Sequence, residues 1–289
     1  MKILVTGAKG QLGHDIMNEI EKRGYQGYGV DVAEMDITNA EIVRKVIDEA
    51  NVDVVIHCAA WTAVDLAEEV ENMDIVRNIN VTGTENIAKV CSEFNKKMIY
   101  ISTDYVFDGK GTNAWQPDDE RNPINIYGQT KYEGELAVEK YIDEFFIVRI
   151  AWVFGVNGKN FIKTMLELGK KHDKLSVVND QVGTPTYTYD LSKTLVDMAK
   201  SDKYGKYHVT NEGLCTWYDF ACEIFRQASE INPIYSEVEV SPVTSDAYPT
   251  KAKRPSNSRM SKEKLLQKGF EKLPAWEDAL ARYLKEVEV

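Results

Sequence analysis

Cysteine is scarce in this 289-residue chain, and the four present (Cys58, Cys91, Cys215, Cys222) are too far apart to form a Cys-x-x-Cys pair. That excludes a zinc ribbon or a disulfide framework and predicts four reduced thiols. Histidine is equally sparse: His14, His57, His172 and His208 form no HExxH or other ligand-like pairing. No structural or catalytic transition metal is expected. Basic residues are outnumbered, with 35 Lys and Arg against 46 Asp and Glu, a formal net charge of -11. An acidic surface repels nucleic acid and anionic membranes at long range, although a small anionic ligand needs only a local positive patch. Long apolar runs are missing as well. The start, MKILVTGAKG, is broken by glycine after four apolar residues, so neither a secretory signal nor a membrane span is expected. A cytoplasmic protein is the expectation.

What the chain does contain is an alternation. Val/Ile-rich runs at 2–6, 26–30, 53–57, 97–101 and 145–149 read as strands buried on both faces. Amphipathic segments at 11–22, 39–49, 74–94 and 126–141 separate them. Strand, helix, strand at this period predicts right-handed crossovers and a Rossmann-type doubly wound parallel sheet, an α/β fold. Beyond Trp152 the rhythm loosens, with helices expected at 160–171, 190–200, 216–229 and 275–285 and strands at 175–178, 206–209 and 237–240. No linker rich in Gly, Ser or Pro separates the halves. The expected division is a dinucleotide-binding domain over 1–158 and about 187–230, with a smaller C-terminal α/β substrate lobe over about 159–186 and 231–289.

Gly7, Gly10 and Gly13 follow the first strand directly, in TGAKGQLG. Glycines there permit a tight turn, let backbone amides reach a pyrophosphate at a helix N-terminus, and let the helix sit close to the sheet. Asp31, at the end of the second strand, is placed to accept hydrogen bonds from the adenosine ribose. A carboxylate at that point repels a 2′-phosphate, so NADH is the expected cofactor, with NADPH possible because Lys9 lies in the loop.

The stretch IYGQTKYEGE sets Tyr127 and Lys131 four residues apart, on one helix face. An ammonium beside a phenol favours the phenolate and brings it towards working pH as a general acid/base. Spacing alone does not decide the matter, because Tyr189 and Lys193 repeat it. Context does: the strand at 97–101 runs into Ser102-Thr103-Asp104, at the sheet edge where ligands bind. Tyr189 has no such neighbour, so Tyr127 and Lys131 are the expected catalytic pair.

The set TGAKGQLG, HCAAWTAVD, NVTGTEN, STDYVFDG, NPINIYGQTKYEGE, RIAWVFG, NDQVGTPTYT and RPSNSRM resembles the extended short-chain dehydrogenase/reductase family across nearly the whole chain. Within that family it is most similar to the branch that reduces a keto-sugar nucleotide. The resemblance implies NAD(P)H-dependent reduction of the C4 ketone of dTDP-4-dehydro-L-rhamnose in dTDP-rhamnose biosynthesis. It implies Tyr127 as proton donor, Lys131 as the residue tuning it and holding the nicotinamide ribose, and Thr103 as hydrogen-bond partner of the reacting oxygen. Asp104, Tyr105 and Trp152 match substrate-contacting positions. Gln11, Leu12, Asp31, Asp36, Ile37, Ala60, Trp61 and Thr62 match positions lining the cofactor.

Some family members share a magnesium ion across a dimer. Asp15 matches one acidic position, but Tyr189 stands where a second acid is expected, so no metal is predicted, and either a monomer or a homodimer is compatible. Related 4,6-dehydratases carry a second carboxylate after the strand-end acid. Tyr105 stands there instead, which argues against dehydration. A 4-epimerase uses the same Tyr/Lys apparatus and stays open. A non-catalytic relative, the regulatory subunit of methionine adenosyltransferase, is disfavoured because Thr103, Asp104, Tyr127 and Lys131 are all present. The basic run Lys251, Lys253 and Arg254 is a candidate diphosphate contact or a solvated patch.

Overall fold

The computed structural model describes residues 1–289. Five strands, β1 (Lys2–Thr6), β2 (Gln26–Val30), β3 (Val54–His57), β4 (Lys97–Thr103) and β5 (Phe145–Ile150), join strand Gly205–His208 in one sheet. The spatial order is β2, β1, β3, β4, β5, then Gly205–His208, with every pairing parallel. The strand order reverses between β1 and β3, which opens a crevice at their C-terminal ends where ligands of such sheets sit.

Alternation along the strands explains the layers. Ile3, Val5, Ile56, Ile99 and Val148 bury into one face, against α1 (Gln11–Lys22) and helix Thr188–Lys200. Leu4, Val55, Met98, Tyr100 and Ile147 bury into the other, against α2 (Ala40–Ala50), α4 (Thr84–Glu93) and α5 (Ile126–Tyr141). Successive side chains on a strand point to opposite faces, so a continuous apolar run fills two cores at once.

Two boundaries differ from expectation in ways that matter for the site. Strand β4 continues past Ile101, pairing Ser102 with Arg149 and Thr103 with Ile150. The helical run at 74–94 is divided into α3 (Met73–Arg77), a π-helical turn at Asn78–Gly83, and α4. Such π-turns re-aim side chains that a regular helix would present elsewhere.

A third core lies beside the sheet. It gathers Ile162, Leu166, Phe220, Ile224, Trp276 and Leu280 from helices Phe161–Gly169, Trp217–Ile231 and Trp276–Leu284. A short parallel pair, Lys174–Val178 with Glu239–Val243, completes this lobe. Helix Trp217–Ile231 packs into the lobe because its apolar stripe faces Phe154 and Trp276, while Leu265, Phe270 and Leu273 return to the sheet core. No helix is long and apolar enough to cross a membrane.

Candidate active site

At the turn after β1, Gly7 has a φ of 67°, and a Cβ there would lie 2.9 Å from the Ala59 amide nitrogen. A Cβ on Gly13 would lie 2.1 Å from the Gly7 carbonyl oxygen, so α1 rests directly on the turn. Gly10 caps α1 with extended backbone and no side-chain partner, which leaves the first-turn amides aimed at the crevice. An uncapped helix start behind glycines that admit no side chain fits a pyrophosphate. Asp31, at the end of β2, accepts from the Lys9 N–H at 2.8 Å. Glu34 accepts from the Asp31 N–H at 3.0 Å and from Lys9 Nζ at 3.2 Å.

A polar chain fixes the floor of this region. Thr6 Oγ1 accepts from the amides of Cys58 and Ala59 at 3.2 and 3.1 Å, so its own proton goes to His57 Nδ1 at 2.7 Å. His57 Nε2 then donates to Thr84 Oγ1 at 3.1 Å, and Thr84 donates to the Asn80 carbonyl at 2.8 Å. Burial lowers the His57 pKa to about 3, which matches an imidazole working as a neutral relay. Asn80, in the π-turn, accepts from the Trp61 amide at 2.8 Å and donates to Thr130 Oγ1 at 3.0 Å. The glycine turn and α5 are thus joined through side chains that are buried and satisfied.

Helix α5 starts at Asn125, whose Oδ1 accepts from the Gly128 amide at 2.7 Å and whose amide donates to the Lys253 carbonyl at 2.8 Å. Side chains at 128 and 134 would strike Tyr105 O and Tyr100 Oη at 2.2 and 2.3 Å, so both glycines of YGQTKYEGE let α5 lie flush on β4. Tyr127 is pushed well above its usual range by burial; the Thr103 hydroxyl pulls it back and the Asp104 carboxylate pushes it further up. Its ring meets Tyr105 edge-on at 5.5 Å. Lys131 is buried, and desolvation pulls it down to about 7, with Glu135 working the other way. Its amine donates to the Ile101 carbonyl at 2.7 Å and lies 4.1 Å from the Tyr100 ring centroid. The lysine is therefore held by the β4 edge, and the phenol takes its shift from burial, Thr103 and Asp104.

Asp104 is also buried. It accepts from Thr103 Oγ1 at 3.0 Å and from Ser258, and burial raises it to about 6. Ser258 comes from the late RPSNSRM segment, which threads between Gly109 and Val182 through backbone bonds of 2.9 and 2.8 Å. Below this layer, Glu135 accepts from Arg149 at 2.8 and 2.7 Å, from Arg121 at 2.9 Å, and from Ser102. This cluster, with Glu135 and Arg149 fully buried, locks α5 to β4 and β5 one turn beyond Lys131.

A single cavity of about 840 Å³ gathers these elements. Gly7, Gly10, Gln11, Leu12, Gly13, Asp31, Asp36, Ile37, Ala60 and Thr62 line one part, and Thr103, Asp104, Tyr105, Tyr127, Lys131 and Trp152 the other. Trp61, expected beside them, is not among the lining residues; its indole N–H donates to the Ala63 carbonyl at 3.1 Å. Lys251 and Arg254 pair with Glu69 and Asp65, the latter at 2.6 Å, so two of the three basic side chains strap this segment to the neighbouring loop. Asp15 accepts from Thr188, and Tyr189 packs against Tyr187 at 5.7 Å.

The profile of the RmlD substrate binding domain family matches residues 1–289. A dTDP-4-dehydrorhamnose reductase from Aggregatibacter actinomycetemcomitans is 38% identical over 288 residues, covering 96% of this chain and 97% of that protein. The chain belongs to the dTDP-4-dehydrorhamnose reductase family. Solved structures agree. A dTDP-4-dehydrorhamnose reductase from Clostridium acetobutylicum superposes with a TM-score of 0.93 at 42% identity, covering 99% of each chain. Its counterpart from Bacillus anthracis, determined in complex with NADP, does so with a TM-score of 0.93 at 39% identity, also covering 99% of each chain.

Four residues that position this site were given no role from the sequence, although each stands in a motif that carries the family resemblance: Asn80 in NVTGTEN, Glu135 in NPINIYGQTKYEGE, Arg149 in RIAWVFG and Ser258 in RPSNSRM.

Proposed function

We propose that this member of the dTDP-4-dehydrorhamnose reductase family reduces the C4 ketone of dTDP-4-dehydro-L-rhamnose to dTDP-L-rhamnose. The observation that carries the reading is the shared cavity, in which the glycine turn at the β1/β3 switch faces Thr103, Tyr127 and Lys131. A reduced nicotinamide dinucleotide, when bound there, supplies hydride to the carbonyl carbon. The chain's own residues do the rest. Tyr127 Oη transfers its proton to the developing C4 oxyanion, and Thr103 Oγ1 steadies that oxygen once it turns from Asp104. Lys131, set near 7 by burial, gains a proton readily at neutral pH and offsets the phenolate left on Tyr127. Asp104, Tyr105 and Trp152 shape the sugar end of the cavity, while Gly7, Gly10, Gly13 and Asp31 take the dinucleotide.

Asp31 and Glu34 disfavour a 2′-phosphate, whereas Lys9 lies within reach of one, so NADH is the preferred cofactor and NADPH a usable one. Both the nucleotide sugar and the dinucleotide belong to cytoplasmic pools, so the enzyme is expected there, as a monomer or a homodimer.

The test is oxidation of NADH or NADPH by the purified protein with freshly generated dTDP-4-dehydro-L-rhamnose. Folded protein that binds cofactor yet oxidises neither would refute the assignment. Tyr127→Phe keeps the ring and removes the proton. General acid catalysis contributes about 10²–10⁴-fold, so the variant is expected to lose at least about 10²-fold in kcat. Full activity in that variant would remove Tyr127 from the mechanism.

A further inference from the structure

We infer that Trp217, which lies outside the cavity wall, is a positioning residue that sets the substrate-facing pose of Trp152. The inference rests on the reading that Trp152 contacts the sugar. Trp152 follows β5 and carries a φ of 49°, left-handed backbone that is a true outlier for a bulky side chain. Such a conformation persists only where the surroundings over-determine it, and it collects at ligand-binding positions.

Three contacts hold it. The Trp152 carbonyl accepts from the Thr186 amide at 3.1 Å, and the Thr186 hydroxyl donates to the preceding Ala151 carbonyl at 2.6 Å. Gly183 closes on the indole: a Cβ there would come 2.9 Å from the ring. Trp217 stacks on the same indole, with centroids 3.8 Å apart and planes 18° from parallel.

The fold explains why Gly183 and Trp217 arrive together. Strand Cys215–Thr216 pairs antiparallel with Val182–Gly183, setting Cys215 opposite Gly183. Thr216 then starts the helix with a reciprocal cap, its Oγ1 accepting from the Asp219 amide at 3.0 Å and Asp219 accepting from the Thr216 amide at 2.9 Å. Trp217 is the first residue of that helix and is backed by Phe161 at 4.6 Å. The lobe thus delivers a rigid aromatic plate to a residue rooted in the sheet. An indole held this way offers a flat apolar surface to the C–H face of a sugar, and a loosened one does not.

Trp217→Leu is expected to raise the KM for dTDP-4-dehydro-L-rhamnose about tenfold, an amount equivalent to about 1.4 kcal/mol. Its kcat should stay within about threefold and its NADH dissociation constant should stay unchanged. Trp217→Phe, which keeps an aromatic plate, should restore most of the affinity and guards against a variant that fails to fold. The far-ultraviolet exciton couplet of the stacked indoles should vanish in both variants at 217 and in Trp152→Leu. Because Trp217 acts through Trp152, adding Trp217→Leu to Trp152→Leu should raise KM no further. If Trp152→Leu raises KM while Trp217→Leu does not, or if the two effects add, the positioning role is overturned and the Trp152 contact stands. If Trp152→Leu leaves KM unchanged, the contact itself fails and the inference goes with it. Equal loss of NADH and substrate binding in Trp217→Leu would reduce Trp217 to a purely structural residue and overturn the inference.

Discussion

Removing the Glu135 charge tests whether the buried cluster beneath the catalytic helix holds the site together. Arg149 is wholly buried, and its charge is answered by Glu135 at 2.8 and 2.7 Å; its remaining contacts are the Pro117 carbonyl at 2.8 Å, His208, and the Phe107 ring at 4.9 Å. Glu135→Gln therefore strands a guanidinium in the core. Breaking a buried pair in this way costs about 3–5 kcal/mol, and we expect about 4 here. Arg149→Met is milder, because Glu135 keeps donors from Ser102 and from Arg121 at 2.9 Å; about 3 kcal/mol is expected. The double variant has no stranded charge, and its cost should be about 3 kcal/mol rather than the summed value of about 7. Urea unfolding followed by circular dichroism measures all four proteins under one condition. Singles that each cost less than about 1 kcal/mol, or a double that equals their sum, would refute the claim that charge pairing organises this layer.

On the proposed function, cofactor preference is set by the Lys9, Asp31 and Glu34 triangle. Glu34→Gln frees Lys9 from its partner and removes one repelling charge, and should move the NADPH/NADH ratio of kcat/KM about five- to tenfold towards NADPH, since exposed charge pairs are worth about 1 kcal/mol. An unchanged ratio in both this variant and Asp31→Asn would remove the triangle from cofactor choice. Stability should also depend on pH through Asp104, whose folded value of about 6 stands above the ordinary 3.8. The folded state binds this proton more tightly, so the associated stability is full below about pH 4 and is lost as pH rises through 6. The loss amounts to about 3 kcal/mol at about 1.4 kcal/mol per unit. Asp104→Asn should lack this component, and matching pH profiles of the urea midpoint would contradict it.

Much of this architecture is written locally. The Val/Ile runs of β1, β3, β4 and β5 bury on both faces, so their apolar continuity carries through, and the glycine turn declares itself by what a Cβ would strike. The features that escaped depend on distant partners. Ser102 and Thr103 look like the end of a strand because they are polar, yet β4 keeps pairing there because Glu135 and Asp104 receive their hydroxyls. Lys251 and Arg254 look like a free basic patch because Glu69 and Asp65 lie more than 180 residues away in the chain. Trp61 and Ala60 are neighbours in one motif, but of the two only the alanine lines the cavity. Trp217 reads as an ordinary core aromatic after a helix cap, and nothing local shows that its plate faces Trp152.

The two Tyr-x-x-x-Lys pairs show what converts spacing into chemistry. Both put the ammonium near a phenol-bearing face of a helix, as four-residue spacing requires. In the second pair Lys193 lies over the Tyr189 ring at 3.9 Å and reaches Asp190 at 3.7 Å, with its side chain 37% exposed. Water and a carboxylate surround that lysine in an ordinary surface contact. Lys131 is 3% exposed, has a carbonyl as its one hydrogen-bond acceptor, and sits near neutrality in consequence. Tyr127 beside it is half-buried where it lines the cavity and is bordered by Thr103 and Asp104. Desolvation inside a cofactor-sized cavity brings the charge states of Lys131 close in free energy at neutral pH, while it keeps Tyr127 in its protonated, donor form. Helical spacing supplies only the proximity; the flush packing allowed by Gly128 and Gly134, and the buried Glu135 layer beneath, give Lys131 a dry environment that Lys193 lacks.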